Sequence, residues 1–358
     1  MTSSFEIDVV ASSTAPCNLG TRVSLTDQIV AKEGFCLAVR ALAGNDKYNI
    51  VETSKGGFCK IEPGMTVVGT LGSREALKGF RGHTPASIAV GDVLHLLNMG
   101  GILGLCTAGH PSKGDPIPVE VIGAVIDTTS PDLGPANIQQ YALTPRISLT
   151  KSAPIITVCG TAMDTGKTKA ATEIVAGLTK AGFRVAAAKL TGAALLRDVR
   201  DMQTHGAIEV ATFSECGFVS STGQQIVPHS KAVLAKLNEA QPDVIVVELG
   251  DGFIGPYGVD DFLLDRELTG ITGATVVAAT DLAGAWAATR LFSERYRRKI
   301  TAMTGPVTDN AVGSEYISGS LGVRAHNALK DSAGLTAAVL GALASKQQQM
   351  AAKQQLVA

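Results

Sequence analysis

The feature that most constrains this chain is a glycine-bounded loop between a predicted strand and a predicted helix. Residues 155–158 are apolar or β-branched, residues 168–181 have an amphipathic helical pattern, and the loop reads Gly160-Thr-Ala-Met-Asp-Thr-Gly-Lys-Thr168. Glycines let backbone N–H groups approach phosphate oxygens, and the N-terminus of a helix adds partial positive charge. The sequence therefore predicts a P-loop that binds a nucleoside triphosphate.

The loop residues have separate predicted roles. Lys167 is expected to reach the β- and γ-phosphates, and the Thr168 hydroxyl is expected to bind Mg²⁺. The predicted cofactors are thus ATP and Mg²⁺. The rest of the phosphate cradle is assigned to Gly160, Thr161, Asp164, Thr165 and Gly166.

Composition narrows the classes of partner. The 358 residues are 45% hydrophobic and 18% charged, which suits a globular chain of about two domains. The net charge is −1 and the basic residues are scattered, so no nucleic-acid partner is expected. The six cysteines have no metal-ligand spacing. The N-terminus lacks a signal-peptide pattern, and no uncharged apolar run reaches the ~20 residues of a membrane helix, so a cytoplasmic protein without membrane contact is expected.

The sequence pattern differs between the two halves of the chain. Residues 1–150 contain short β-type segments separated by Gly/Pro turns and predict a mostly-β domain of substrate-binding or interaction type. Within it, residues 72–83 are rich in Arg, Lys and Gly and could bind an anionic substrate. Residues 151–345 alternate apolar strands with helices, which indicates an α/β P-loop domain built on a parallel sheet. Residues 346–358 form a polar tail.

Two strand ends carry charged candidates. Lys189 ends the strand 184–189, and a lysine at the carboxyl edge of a sheet faces the ligand crevice. Glu248 ends the apolar strand 244–248, as in a Walker B strand that directs a carboxylate toward Mg²⁺. The two residues are predicted to be catalytic together with Lys167. The competing interpretations are an ordinary exposed strand-end lysine and a loop-capping acid.

Further candidates lie outside these strands. Asp198 and Asp201 follow the second strand and either one could bind the metal, although their spacing also suits a solvated helix face. Asp309 or Asn310, after a predicted strand near residue 300, could contact the nucleotide base, and a plain turn is the competing interpretation.

Five residues separate Gly160 from Gly166, where the common P-loop has four, and this longer loop resembles that of dethiobiotin synthetase, Gly-Thr-Asp-Thr-x-x-Gly-Lys-Thr. The resemblance extends to the related SIMIBI-type P-loop proteins, including cobyrinate amidases and septum-site ATPases. Ala162 and Met163 depart from the pattern. The resemblance implies an ATP- and Mg²⁺-dependent C–N ligase that phosphorylates a carboxylate or carbamate for attack by an amine. It also implies a homodimer and a small amine or amino-acid substrate.

Two other functions remain open on the sequence. The layout of an extra N-terminal domain, with Glu248-Leu-Gly-Asp-Gly-Phe-Ile-Gly-Pro256, resembles the D-glutamate N-acetyltransferase family and implies an amino-acid N-acyltransferase. The histidine of that family's motif is replaced here by Gly255. The third possibility is a nucleotide-switch ATPase regulated by a protein partner.

Overall fold

The computed structural model describes residues 4–128 and 134–357. The chain divides into two compact units. The first consists of Met1–Thr144, Gly192–Arg197 and Thr212–Gln224, and the second of Pro145–Thr191, Asp198–Ala211 and Gln225–Ala358. The predicted boundary at residue 150 lies close to the first division, but the sequence pattern gave no sign that two later segments belong to the first unit.

The first unit is β-rich. Its main sheet has ten strands, with a separate two-stranded hairpin of β5 and β6. The strands are β1 Ser4–Glu6, β2 Val9–Val10, β3 Arg22–Thr26, β4 Cys36–Ala41, β5 Ile50–Glu52, β6 Phe58–Lys60, β7 Thr66–Leu71, β8 Arg74–Glu75, β9 Phe80–His83, β10 Val93–Leu96, β11 Ile102–Gly109 and β12 Pro118–Val125.

Five of these strands close on themselves. β12 pairs with β4, β4 with β7, β7 with β11, β11 with β10, and β10 with β12 again. Alternating residues of β4 pack on opposite sides of the sheet: Leu37 and Val39 belong to one buried cluster, and Cys36 and Ala38 to another. This period of two is the reason that the segment forms a strand buried on both faces.

The second unit is a doubly covered α/β layer. Its six-stranded sheet has the order β15-β14-β16-β13-β17-β18, and the registers of β14–β16, β16–β13, β13–β17 and β17–β18 are parallel. The predicted fold class, a parallel-sheet α/β unit preceded by a β-rich region, is confirmed. The strands are β13 Ile155–Gly160, β14 Val185–Thr191, β15 Glu209–Thr212, β16 Val244–Leu249, β17 Thr272–Ala278 and β18 Ala302–Thr304.

Eight α-helices accompany this sheet in the described ranges: α1 Lys167–Lys180, α2 Arg197–Thr204, α3 Ile226–Glu239, α4 Val259–Leu264, α5 Arg266–Ile271, α6 Leu282–Glu294, α7 Ala311–Ser320 and α8 Ser332–Val357. α1 packs on the sheet because Ala170, Ile174 and Leu178 recur at helical spacing and are fully buried. The predicted polar tail continues α8 up to Val357. In the part of the chain that the structure describes, none of these helices has the length and apolar character needed to cross a bilayer.

Candidate functional site

The P-loop lies between β13 and α1, and Lys167 is the first residue of the helix. The Lys167 side chain is 6% exposed, and its Nζ donates to the carbonyl oxygen of Ala162 at 2.6 Å. The ammonium group therefore folds back over the loop, at the place where a P-loop holds phosphate. Burial lowers the pKa of Lys167, and the nearby carboxylates of Glu248 and Asp251 act in the opposite direction.

The remaining loop residues differ in how they contribute. Gly160 is required by close packing, since a Cβ there would lie 3.0 Å from both the Ala278 oxygen and Lys167 Cδ. Thr165 is fully buried, and its hydroxyl donates to Ala162 at 3.2 Å. Asp164 has an exposed side chain and a left-handed backbone with φ 60°, so its contribution to a phosphate site is through the backbone.

Two further cradle residues were predicted. Gly166 caps α1 in the left-handed region, with φ 85°. Thr161 has a buried hydroxyl without a hydrogen-bond partner among the described residues. A buried hydroxyl of this kind is available to a ligand, since leaving it unpaired is costly.

Glu248 faces the start of α1. β16 is the neighbour of β13, with Val158 opposite Glu248, so the parallel register brings the acid to the sheet edge where the P-loop begins. The Thr168 hydroxyl donates to Glu248 Oε1 at 3.0 Å. Glu248 is 2% exposed, and its Oε2 has no hydrogen-bond partner within the described ranges. Burial, followed by the charge of Asp198, raises the pKa of Glu248 to about 7.

Lys189 and Asp198 form a buried ion pair beside this acid. β14 is the other neighbour of β16, and its register places Lys189 opposite Glu248. Lys189 Nζ contacts Asp198 Oδ2, and both side chains are less than a tenth exposed. The predicted catalytic residues Lys167, Lys189 and Glu248 are therefore gathered at one edge of the sheet, as the carboxyl ends of parallel strands require.

The two candidate aspartates take different directions from α2. Asp198 joins Lys189, and its charge acts on Glu248. Asp201 instead accepts a hydrogen bond from Thr172 of α1 at 3.2 Å and pairs with His205 at 3.5 Å. The structure thus places Asp198, and not Asp201, among the charged groups of the site.

The loop after β16 packs on the P-loop, which the sequence did not reveal. The backbone N–H of Phe253 donates to the Gly160 carbonyl at 3.1 Å, and the Thr191 hydroxyl donates to the Gly250 carbonyl at 2.9 Å. A Cβ at Gly250 would overlap the Thr191 carbonyl oxygen and lie 3.2 Å from Lys189 Cε. The available signal was the glycine-rich run after Glu248, which the sequence analysis compared with the D-glutamate N-acetyltransferase motif without predicting its contact with the P-loop.

Asn310 has a local structural role. Its Oδ1 accepts from the Val312 N–H at 3.0 Å, which caps α7. Sequence reasoning missed the buried Asn327, whose Nδ2 donates to Asp309 Oδ1 at 3.0 Å and to Thr308 Oγ1 at 3.2 Å. The loop that leads from β18 to α7 is therefore held by hydrogen bonds from the buried Asn327. Contact between Asn310 and a base stays a prediction.

The donors present suit a magnesium–nucleotide complex. Mg²⁺ prefers oxygen ligands and is usually held by one or two carboxylates together with substrate phosphates. The Thr168 hydroxyl and the buried Glu248 Oε2 supply such oxygens, and the charge of Asp198 acts on Glu248. No cluster of three or more His, Cys, Asp or Glu suited to a metal occurs among the residues the structure describes. The fit rests on the Thr168 and Glu248 oxygens, to which phosphate oxygens would add the remaining ligands of a metal.

The candidate site has the strand–loop–helix arrangement of a P-loop, with the loop between β13 and α1. No family model and no curated protein matches it. Solved structures that it resembles include the signal recognition particle receptor FtsY from Elizabethkingia anophelis, at 11% identity and a TM-score of 0.37, covering 56% of this chain and 70% of the other. Chloroplast FtsY from Physcomitrella patens has 14% identity, a TM-score of 0.33 and the same two coverages.

A third similar structure is the signal recognition particle 54 kDa protein from Aeropyrum pernix K1, in complex with GDP. It has 15% identity and a TM-score of 0.33, and the match covers 60% of this chain and 53% of that protein. These proteins are particle and receptor components, and the prediction of an ATP-dependent C–N ligase, with an acyltransferase as its alternative, is wrong on this finding. The physical reason is that residue types such as those at Lys167, Lys189 and Glu248 occur in P-loop sites of many functions and specify no acceptor for a new bond.

Proposed function

We propose that the protein is a Mg²⁺-dependent nucleoside triphosphatase that works as a nucleotide switch for a protein partner. The observation that carries the proposal is the packing of the loop after β16 on the P-loop, next to Glu248 and Lys167. A group bound in the cradle would touch both the cation that holds phosphate and the segment that follows the Walker B acid. Loss of one phosphate would therefore change what this segment contacts.

The chain's own residues divide the work as follows. Lys167 and the loop N–H groups bind the β- and γ-phosphates, and burial strengthens these contacts because water does not screen them. Thr168 and Glu248 hold Mg²⁺, which when bound offsets the charge of the phosphate oxygens. Lys189, oriented by Asp198, supplies a second buried cation at the same edge. Hydrolysis adds water to the γ-phosphorus and breaks its bond to the bridging oxygen, giving the diphosphate and inorganic phosphate.

ATP is the nucleotide we propose, and GTP is the competitor against which it must be tested. The predicted homodimer and cytoplasmic location are retained as proposals. The predicted small amine or amino-acid substrate is likewise retained as a proposal, as a ligand of the β-rich unit.

The binding half of the proposal is tested with a fluorescent ATP analogue titrated in the presence of Mg²⁺. Lys167→Ala is expected to weaken affinity about 100-fold, because hydrogen bonds from a charged donor contribute roughly 2–3 kcal/mol. The matched control is Lys180→Ala, an exposed lysine at the other end of the same helix, about 20 Å along its axis. An unchanged affinity of Lys167→Ala for the ATP analogue would contradict the P-loop assignment. Displacement by unlabelled ATP and GTP decides the base.

The switch half is tested by hydrogen exchange with a non-hydrolysable triphosphate analogue and with the diphosphate. Backbone amides of residues 249–258 are expected to be more protected with the triphosphate, while α6 should not differ between the two forms. Equal exchange of residues 249–258 in both forms would contradict a switch. Rapid hydrolysis that is stimulated by a small molecule, and by no protein, would also contradict a switch.

A further inference from the structure

The β-rich unit contains a polar cavity that the nucleotide site does not use. Its volume is about 690 Å³, within the range of small-molecule sites. Strands β8, β9 and β11 contribute to its lining, together with Glu33 and two residues of the later segment Thr212–Gln224, namely Thr222 and Gln224. All of the lining side chains are polar or charged, apart from the glycine Gly82.

Two carboxylates define the charge of this cavity. Glu33 is half-buried, and its Oε1 accepts a hydrogen bond from the Ser73 hydroxyl. Glu75 Oε1 accepts from both Arg81 Nε at 3.3 Å and Arg81 Nη2 at 3.2 Å. One oxygen of each carboxylate is thus engaged by a neighbour, and the other is left for water or a ligand. The single guanidinium is committed to Glu75, which leaves the Glu33 charge without a cationic partner in the lining.

The cavity walls are held in place by the unit itself. Gly82 is packed so tightly that a Cβ there would lie 2.6 Å from the Leu105 carbonyl oxygen and 2.8 Å from Leu97 Cδ2. Elsewhere in the lining, Thr222 Oγ1 accepts a hydrogen bond from the Ser220 hydroxyl at 3.1 Å. The backbone of β9 is therefore closely packed where it lines the cavity, while the Glu75 and Arg81 side chains remain 40% and 64% exposed and accessible to a ligand.

From this geometry we propose that the cavity binds a small hydroxylated primary amine. Apart from His83, the charged groups of the lining are one guanidinium and two carboxylates, a formal charge of −1. An ammonium group donates a charge-assisted hydrogen bond to a carboxylate, and hydroxyls of the ligand are matched by Ser73, Thr222 and the Gln224 amide. The segment 72–83, for which the sequence suggested an anionic substrate, itself contributes Glu75 to the lining, and its Ser73 hydroxyl donates to Glu33, so the proposed ligand is a cation.

The test uses isosteric pairs in which a hydroxyl replaces the ammonium group. Ethanolamine is compared with ethylene glycol, and D-glucosamine with D-glucose, by calorimetry and thermal shift on the full chain without nucleotide. At least one amine is expected to bind saturably below 10 mM, at least tenfold tighter than its hydroxyl twin. Because no nucleotide is present, failure here is distinguishable from failure of the proposed switch.

Variants locate the binding. Glu33→Gln and Glu75→Gln should each weaken the amine at least tenfold, whereas Glu62→Gln, an exposed glutamate of the same unit, should leave it unchanged. Arg81→Gln should tighten binding several-fold, because it removes the one fixed positive charge, and this opposite sign cannot arise from misfolding. The proposal is overturned if no amine binds, if the hydroxyl twins bind equally well, or if Arg81→Gln weakens binding.

Discussion

Substituting Glu248 by glutamine should stabilise the nucleotide-free protein. It should also remove the extra thermal stabilisation that Mg²⁺ gives in the presence of ATP. Burial of the Glu248 carboxyl, together with the neighbouring Asp198 charge, raises its pKa to about 7 from an ordinary 4.5. The folded protein therefore keeps a proton that the unfolded chain releases between these two values. Stability falls as pH rises through this window, and above pH 7 the loss stays constant.

The size of the effect follows from the same two values. The difference between the pKa of Glu248 in the folded protein and in the unfolded chain corresponds to a loss of roughly 3 kcal/mol of unfolding free energy above pH 7. Glutamine keeps an oxygen that accepts from Thr168, but it removes an anion that attracts Lys167 and Lys189. We therefore expect Glu248→Gln to raise the unfolding free energy by about 1–2 kcal/mol at pH 8, and the advantage over the native protein to shrink by about 2 kcal/mol at pH 5.5.

Urea unfolding at pH 8 and pH 5.5, with EDTA present, measures both numbers. Glu239→Gln is the matched control, since that glutamate is exposed at the end of α3 in the same unit. In a second series, Mg²⁺ should add to the thermal stabilisation by ATP in the native protein and not in Glu248→Gln. A variant that is less stable than the native protein at pH 8, or an advantage that does not narrow at pH 5.5, would refute the reasoning.

Two further perturbations test the packing around the site. Gly250→Ala should cost about 1–3 kcal/mol of unfolding free energy and weaken ATP binding, because its Cβ overlaps the Thr191 carbonyl oxygen; denaturant unfolding and nucleotide titration measure this. Asp260→Asn should cost about 1 kcal/mol at pH 7, since Asp260 Oδ1 accepts from Arg295 Nε at 2.9 Å at a partly exposed position. That hydrogen bond, followed by others, lowers the pKa of Asp260, so its contribution is present above pH 3.8 and is lost as pH falls below it. Unfolding at pH 7 and pH 3 checks the loss, and Asp261→Asn, at the exposed next position, is the control.

The glycine variant also has a matched control. At Gly270 of α5 an added Cβ would have no atom within 4 Å, so Gly270→Ala should raise stability by about 0.5–1 kcal/mol through helix propensity. If both glycine variants had the same effect, close packing at Gly250 would not be the cause.

The sequence by itself determined the local elements of the nucleotide site. A β-branched strand, a glycine-bounded loop and an amphipathic helix are encoded over neighbouring residues, so the positions of Lys167 and Thr168 follow from the pattern alone. Lys189 and Glu248 could be placed at one edge as well, because parallel strands present their carboxyl ends together. The alternation of strands and helices likewise fixed the α/β class.

Tertiary structure alone decided which groups meet. Asp198 and Asp201 lie three residues apart on one helix, and only the rotation of α2 against the sheet directs Asp198 to Lys189 and Asp201 to Thr172. The assignment of Gly192–Arg197 to the β-rich unit, the closed ring of five strands and the cavity beside Glu33 also depend on contacts between residues far apart in the chain. Hydrophobic periodicity and turn residues act over a few positions, whereas these pairings are selected by the packing of the whole unit.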